Sequence, residues 1–396
     1  MSRASGGHAA LNNGTPGQVH LTWGGDPATS VVVSWASPGR ALRPRVRIGQ
    51  RVIFAQERTH VNEATGKTEW SYHARVTELR PGAIYAYAVT ADNDANAADP
   101  HLSTFRTAPA GRGGFRFTCS GALAVPDYQG GAHLAGVVES FQPLFHLLNG
   151  GLCGAGPASP RAFCDGSQFS AASRPWMPVP GPDDPAALRA YLARYDVPPD
   201  GAPQSQGRWY SFRVGAVVFA CLDSGDAAGG DARQVPDAQA RWLEGTLTRA
   251  RADASVDWII VSAHHPSTGT QLLPLLDRCS ADLLLSGHGS GYARSFPHPM
   301  RAGGGNLDTS RGTVRLTLGQ EPAGGFGIAV FDVAPCTEAS DEASMTVSCY
   351  QEAGLGLGGP PTDGLTPAER FTLVRPRPTG RAPAALRNAG RGPVVH

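Results

Sequence analysis

The first part of the chain consists of short runs in which apolar and polar residues alternate. These runs are rich in β-branched and aromatic residues, and turn-forming Gly, Pro, Asp and Asn residues separate them. The clearest runs are residues 19–23, 30–37, 45–49, 71–79, 83–91 and 103–108. Short strands at this spacing are typical of a fibronectin-like β-sandwich. Residues 108–114, which contain Gly and Pro, indicate a linker after it.

From Phe115 onwards the pattern changes, because apolar strand-like runs alternate with runs of helical periodicity. Apolar strands that end at small or polar residues are typical of a buried sheet with helices on its faces. We therefore predict an α/β part. Its strands are expected at residues 115–121, 258–265, 281–289, 313–319, 326–333 and 345–351, with a hairpin through Gly215 at 209–224 and helices at 135–144, 236–252 and 272–279.

Composition and charge exclude several classes of protein. Hydrophobic residues make up 41% of the 396 residues, which is enough for large cores. The 34 basic and 33 acidic side chains give a net charge of +1, which argues against a dedicated nucleic-acid binder. No apolar run approaches the roughly 20 residues that cross a bilayer. The N-terminus lacks an apolar run, so a cytoplasmic location is favoured over secretion.

The cysteines and the C-terminal end suggest no specialised framework. The chain has seven cysteines without a Cys-x-x-Cys motif, which favours reduced thiols over a disulfide framework. Pairing of Cys153 with Cys164, or of Cys336 with Cys349, remains an alternative. The tail, residues 374–396, contains five Arg and no acidic residue, and we predict that it is disordered.

Several segments, in order along residues 16–335, resemble bacterial purple acid phosphatase-type metallophosphoesterases. They are PGQVHLTWGGDPATSVVVSW, FRFT, FHLLNG, SRPWMPVPG, GRWYSF, DWIIVSAHH, DLLLSGHGSGYARS and TSRGTV. The resemblance implies a fibronectin type III-like domain followed by a metallophosphoesterase-like αββα sandwich. The expected division is a flexible N-terminus at 1–16, domains at 17–108 and 115–335, a strand-containing extension at 336–373 and the tail at 374–396.

The resemblance also implies a centre of two metal ions, but most of its ligands are absent from this sequence. Members of the family bind the ions through GD, GDxxY, GNH(E/D), a His after an apolar strand, and GHxH. Five of the seven expected ligand positions hold other residues here. These are Gly121, Gly151, Gly154, Pro182 and Ser290.

Some positions of the pattern survive, and they define the candidate site. The resemblance assigns metal binding to His264 and His288, and substrate binding to Tyr292 and Arg294. Of the neighbouring residues, His265 is a candidate general base, and Asp183 stands where the family has its catalytic His.

Other interpretations of the same residues remain open. The two metal-type histidines could be purely structural, because two imidazoles alone make a weak site. The pair Asp183 and Asp184 precedes Pro185 and suits the start of a helix. Arg294 could form a buried ion pair instead of binding substrate.

The sequence therefore predicts a phosphoesterase homologue that is catalytically inactive or strongly impaired, a pseudoenzyme whose scaffold is kept for binding. No cofactor is expected, or at most a single divalent ion such as Zn, Mn or Fe. The first alternative is an enzyme with changed chemistry that uses His264, His265, His288 and Asp183 with one metal or none. The second is residual acid phosphatase activity. A small molecule, a phosphorylated ligand or a protein is a possible partner, whereas nucleic acid and a membrane span are not expected.

Overall fold

The computed structural model describes residues 13–63, 65–96, 98, 100–121, 123, 128–150, 160–181, 185–201, 203–224, 236–289, 291–295, 306–319, 326–337, 340–352 and 364–377. Residues 378–396 of the predicted tail lie outside this range.

The regular elements of the N-terminal part are all β-strands in the residues that the structure describes. Its strands are β1 (Gly17–Thr22), β2 (Val31–Ser37), β3 (Arg45–Ile48), β4 (Arg51–Phe54), β5 (Gln56–Asn62), β6 (Lys67–Val76), β7 (Ile84–Thr90) and β8 (His101–Arg106). They form two four-stranded sheets in the orders β1-β2-β6-β5 and β4-β3-β7-β8. The inward side chains of both sheets share one apolar core, in which Trp35 packs against Tyr72 at a ring distance of 5.7 Å.

The following part contains strands and helices. Its elements are β9 (Phe115–Ser120), α1 (Tyr128–Phe141), β10 (Phe145–Asn149), α2 (Pro160–Ala171), β11 (Trp176–Val179), α3 (Pro185–Arg194), β12 (Tyr210–Val214), β13 (Val217–Leu222), α4 (Asp237–Ala252), β14 (Trp258–Ala263), α5 (Pro266–Arg278), β15 (Leu283–Ser286), β16 (Tyr292–Ser295), β17 (Leu307–Asp308), β18 (Val314–Leu318), β19 (Gly327–Val333), β20 (Glu342–Glu352) and β21 (Leu365–Pro376).

These strands form two mixed sheets. The seven-stranded sheet has the order β11-β10-β9-β19-β20-β21-β17, and the six-stranded sheet has the order β12-β13-β14-β15-β18-β16. Strands β9, β10 and β11 run parallel, as do β13, β14, β15 and β18. The apolar side chains that the two sheets turn towards each other belong to one core. The other face of the six-stranded sheet packs against α4 and α5 in a second core. Phe117 stacks on Phe331 at 4.4 Å within the first sheet and meets Phe219 of the second edge-on at 5.2 Å.

The all-β part is attached to helix α3 through hydrogen bonds to the last carbonyl groups of that helix. His73 contacts the carbonyl oxygen of Ala193 at 2.9 Å, and His20 contacts that of Arg194 at 3.1 Å. Helix ends leave such carbonyls without partners inside the helix. Just beyond the helix, the buried carboxylate of Asp196 pairs with Arg58 at 2.5 Å and with Arg75 at 2.7 Å.

Several predicted elements are confirmed. The hairpin lies at β12 and β13, with Gly215 in the turn at φ +57°. Helix α4 buries Leu243, Leu247 and Ala250, whose spacing in the sequence is helical. Ala240 has the same spacing, but the fully buried residue at the start of the helix is Gln239. No helix within the described parts of the chain is long and apolar enough to cross a membrane.

Cysteine pairing is not found where the structure can be examined. Cys119, Cys164, Cys221, Cys279, Cys336 and Cys349 are free thiols. The alternative pairing of Cys336 with Cys349 is therefore wrong. Cys153 lies outside the described residues.

The predicted limits of the terminal segments need correction. Residues 374–376 continue β21 and pair with β20, so the chain is ordered beyond the predicted start of the tail. Strands β20 and β21 join the sheet that contains β9, so the predicted boundary at residue 335 falls within one sheet. Near the N-terminus, Gly14 donates a hydrogen bond to the carbonyl of Asn93 at 3.1 Å, which fixes residues predicted to be flexible.

A buried carboxylate explains why the arginine-rich end of β21 is ordered. Asp282 is fully buried and accepts from Arg251 at 2.6 Å and from Arg375 at 2.5 Å. Its oxygens also accept from the hydroxyl of Thr309 and the backbone N–H of Ile259. The charge of Arg375, one of the five arginines that suggested a solvated tail, is thus neutralised inside the protein.

We expect Asp282→Ala to lower the free energy of unfolding by about 3–5 kcal/mol, because it leaves two guanidinium groups without their buried counter-ion. Urea unfolding measures the loss. The matched control is Asp332→Ala, which removes an ion pair with Arg116 whose side chains are 42% and 44% exposed. That variant should differ from the wild type by less than about 1 kcal/mol. Equal stability of the two variants would contradict the prediction.

Candidate functional site

Three histidines come together at the carboxyl ends of two neighbouring parallel strands. His264 and His265 directly follow β14, and His288 follows β15. The ring centroids are 4.4 Å apart for His264 and His265, 4.4 Å for His265 and His288, and 5.1 Å for His264 and His288. One ligand nitrogen from each ring lies within 4.8 Å of the other two. His264 and His265 are buried and His288 is exposed, so the cluster opens to solvent on one side.

The imidazole of His264, which follows β14 of the six-stranded sheet, contacts the end of β10 in the seven-stranded sheet. Its Nδ1 lies 3.1 Å from the carbonyl oxygen of Asn149 at the end of β10. A Cβ atom on Gly150 would lie 1.9 Å from Nδ1, and one on Gly181 would lie 2.7 Å from Cδ2. Gly150 also has φ +88°, which side chains rarely allow. Both glycines therefore make room for this imidazole.

Backbone hydrogen bonds fix the segments that carry the histidines. The carbonyl of His264 accepts from the N–H groups of Gly287 at 3.0 Å and His288 at 2.8 Å. The N–H of His265 donates to the hydroxyl of Ser224 at 3.1 Å. Beside Ser224, the side chain of Asp223 pairs with Arg208 at 2.6 Å. Because these contacts join the ends of β13, β14 and β15, the cluster does not depend on side-chain packing alone.

The two sheets meet backbone to backbone beside this cluster. A Cβ atom on Gly121, just after β9, would lie 1.6 Å from the carbonyl oxygen of Leu318 and 2.8 Å from that of Gly287. A Cβ on Gly287 would lie 1.8 Å from the carbonyl oxygen of Asn149. The first expected ligand position, residue 121, thus has no space for any side chain.

Comparisons with known proteins place the chain in a family. Residues 16–107 match the model of the purple acid phosphatase N-terminal domain. Two uncharacterized proteins of Mycobacterium tuberculosis, Rv2577 of strain H37Rv and MT2654 of strain CDC 1551, are each 32% identical over 370 residues, covering 76% of this chain and 69% of the relative. The chain belongs to the purple acid phosphatase-type phosphoesterases.

A solved structure agrees with this assignment at the level of the fold. The structure of PhoD has a TM-score of 0.59 and 12% sequence identity, and the match covers 93% of this chain and 92% of that chain. At the level of the fold, the prediction of a β-type N-terminal part followed by a part with mixed sheets is thereby confirmed.

The structure brings together three of the site residues predicted for this phosphoesterase-type chain. They are His264, His265 and His288. Asp183 lies outside the described residues, as do the ligand positions Gly151, Gly154, Pro182 and Ser290. The assignments of Asp183 to catalysis and of Asp184 to a helix start therefore stay predictions.

Tyr292 and Arg294, predicted to bind substrate, contact a carboxylate of the same chain. The hydroxyl of Tyr292 donates to Glu369 at 2.6 Å, and the Nε of Arg294 donates to it at 2.7 Å. The hydrogen bond from Arg294 holds the pKa of Glu369 below its usual value. Arg294 also lies over the ring of Phe371, with its Cζ 4.7 Å from the centroid. This arrangement is the ion-pair alternative, and a role in substrate binding stays a prediction.

Asn149 is a site residue that sequence reasoning missed. Its side chain is fully buried, and among the described residues neither the amide oxygen nor the amide nitrogen has a hydrogen-bond partner. The only signal in the sequence is an amide at the end of the apolar strand FHLLN. Such residues commonly end strands, so the position alone did not indicate a function.

The donor set of the cluster suits one divalent transition metal. Imidazole nitrogens are common ligands of Zn²⁺, and the Asn149 carbonyl favours the tautomer of His264 whose Nε2 carries the lone pair. In a tetrahedral site the nitrogens would lie about 3.3 Å apart, so separations of up to 4.8 Å must shorten. Rotation of the exposed His288 can supply this movement. Within the described residues, no carboxylate completes a group that could hold a second ion.

Proposed function

We propose that this chain is a purple acid phosphatase-type homologue that does not carry out dinuclear phosphoester hydrolysis and instead binds one divalent cation in its pocket. The observation that carries the proposal is the cluster of His264, His265 and His288, whose ligand atoms lie within 4.8 Å of one another. Two ions need a larger set of ligands, and four of the five substituted ligand positions are glycine or proline. These residues have no side chain that can coordinate a metal.

The residues of this pocket would act mainly by positioning. His264 is oriented by the carbonyl of Asn149 and confined by Gly150 and Gly181. A bound Zn²⁺, Mn²⁺ or Fe²⁺ would attract an anionic ligand such as a phosphate group. The exposed side of the cluster, at His288, leaves room for that ligand to approach. The scaffold would then serve in binding or regulation rather than in turnover.

Metal binding and activity test this proposal directly. Protein dialysed against Co²⁺ or Zn²⁺ should retain about one ion per chain by elemental analysis, and p-nitrophenyl phosphate should not be turned over above background. Two ions per chain together with turnover would overturn the proposal, and so would the absence of any bound ion.

His264→Ala should weaken binding of Co²⁺ roughly 100-fold, because three nitrogen ligands are near the minimum for a stable site. Titration followed by visible absorption measures the affinity. The matched control is His101→Ala, which removes an imidazole from β8 in the all-β part and should leave the affinity unchanged. An equal effect of the two substitutions would show that the cluster is not the binding site.

A second candidate is an enzyme of changed chemistry with a single metal. It is favoured by the same donor set, since catalytic zinc sites commonly have three protein ligands and one open position. In that case His265 or Asp183 would move a proton. Turnover of p-nitrophenyl phosphate that disappears in His265→Ala but survives in the His101→Ala control would support this candidate over the first.

The finer architecture belongs to the same proposal. We infer that residues 17–108 form a fibronectin type III-like domain and that the chain from residue 115 forms an αββα sandwich. The two four-stranded sheets with a common core, and the two larger sheets with a common core, support this division.

A further inference from the structure

Asn149 has an uncommon environment for a buried amide. Its side chain is fully buried, and both Oδ1 and Nδ2 lack a hydrogen-bond partner in the part of the chain that the structure describes. Buried polar groups are nearly always paired, and an unpaired one destabilises the folded state. A buried amide without a partner in the protein can be retained if a bound ligand supplies that partner.

The position of Asn149 places its side chain beside the histidine cluster. Along β10, Phe145 and Leu147 point into the core between the sheets, and strand alternation turns Asn149 to the same face. Its Cβ lies 3.1 Å from where a Cβ on Gly287 would be, and its carbonyl oxygen lies 3.1 Å from Nδ1 of His264. The side chain therefore starts between the strand end that carries His264 and the one that carries His288.

The surroundings of the amide offer it little else. Gly121 and Gly287 contribute only backbone, and the carbonyl oxygen of Gly287 lies 2.8 Å from where a Cβ on Gly121 would be. The next inward layer on β9 and β10 consists of Cys119 and Leu147, which are apolar and fully buried. A leucine of nearly the same shape would fit this layer without leaving unpaired polar atoms. The amide thus fits a ligand better than it fits the core.

The geometry points to Asn149 as a further ligand-contacting residue of the cation site, an assignment that rests on the proposed function. Its amide oxygen coordinates the divalent ion held by the three imidazoles, and its amide nitrogen donates to an anionic oxygen of the bound ligand. Amide oxygens are suitable ligands for hard divalent cations. This assignment adds an oxygen donor that the family's five ligand motifs do not include.

Two substitutions of similar shape test the assignment in opposite directions. Asn149→Leu should weaken Co²⁺ binding about tenfold, while the urea midpoint of the metal-free protein stays equal to or above that of the wild type. Asn149→Asp should strengthen Co²⁺ binding about tenfold at neutral pH, because it replaces an amide oxygen by a charged one. Visible absorption of Co²⁺ and urea unfolding without metal are the two readouts.

The matched control is Thr90→Val, which removes another buried unpaired polar atom, the hydroxyl on β7 in the all-β part. It should leave Co²⁺ binding unchanged and should not lower the urea midpoint. Unchanged Co²⁺ affinity in both Asn149 variants would overturn the assignment while leaving the histidine site intact. A lower urea midpoint of metal-free Asn149→Leu would also overturn it, because the amide would then be structural. A wild-type chain that binds no Co²⁺ would overturn the proposed site and the assignment together.

Discussion

Lowering the pH from 7 to 5 should remove about 6 kcal/mol from the free energy of unfolding, because three fully or almost fully buried histidines must stay neutral in the folded state. Burial lowers the pKa of His20 to about 4. Burial, together with the charge of Arg58, lowers the pKa of His73 to about 3. Burial alone lowers the pKa of His146 to about 3. Each histidine contributes about 2 kcal/mol over this interval, a total comparable with the whole stability of many domains.

The direction of the effect follows from proton binding. Above pH 6.5 these histidines are neutral in both states. Below it the unfolded chain takes up protons that the folded chain does not, so stability falls until the folded pKa is reached. The carboxylates act in a different window. Burial alone would raise the pKa of Asp196, but the hydrogen bond from Arg75 and the charge of Arg58 hold it below its usual value, so its contribution is lost only below about pH 4.

Urea unfolding at half-unit steps from pH 7.5 to 5 measures this loss. His146→Gln is the informative variant, because glutamine can still bond to Thr118 and Ser120, the partners of the imidazole at 2.8 and 3.1 Å. The pH slope of its unfolding free energy should be smaller by about 1.4 kcal/mol per unit. A flat wild-type profile between pH 6.5 and 5 would show that the buried histidines are not the cause.

This pH dependence also bears on the function. His20 and His73 join the all-β part to the end of α3. Protonation of these two imidazoles at low pH would therefore weaken the contact between the two parts. If urea unfolding shows the expected loss near pH 5, the result would favour the binding role over residual acid phosphatase activity in an acidic medium.

The sequence predicted an element correctly where a single local feature, such as a turn glycine or a helical spacing of apolar residues, determines it. Gly215 permits the positive φ of a tight hairpin, and the spacing of Leu243, Leu247 and Ala250 is helical, so both elements were found. Gln239 was missed because its burial depends on a tertiary contact, in which its amide bonds to the backbone of Asp223 at 2.8 Å. The order of residues 374–376 was missed for the same reason, since it depends on Asp282, far away in the sequence.

The candidate site could be predicted only where position along a strand determines position in space. His264 and His288 each follow an apolar strand, and the ends of adjacent parallel strands meet. The sequence could not show that His265 faces the same point, since neighbouring residues often diverge. Nor could it show that Arg294 has Glu369 as a partner, because that contact joins the six-stranded sheet to the seven-stranded one.

Gly121→Asp, which restores a carboxylate at the first expected ligand position, should prevent stable folding rather than rebuild a metal centre. A Cβ at residue 121 would lie 1.6 Å from the carbonyl oxygen of Leu318 and 2.8 Å from that of Gly287. Both are backbone atoms, so no flexible side chain can move aside. The N–H of Gly121 also bonds to the carbonyl of Gly327 at 3.2 Å, which fixes the segment from the other side.

Even Gly121→Ala should therefore lower the free energy of unfolding by at least about 3 kcal/mol, because one added methyl group must separate two sheets. Gly17→Ala is the matched control, since a Cβ on Gly17 meets nothing within 4 Å, and it should unfold at the same urea concentration as the wild type. Soluble Gly121→Asp protein that holds two ions per chain would contradict both this prediction and the proposed loss of the dinuclear centre. The expected result would mean that backbone atoms of Leu318 and Gly287 occupy the space of the lost side chain at residue 121. No single substitution could then return this chain to the chemistry of its family.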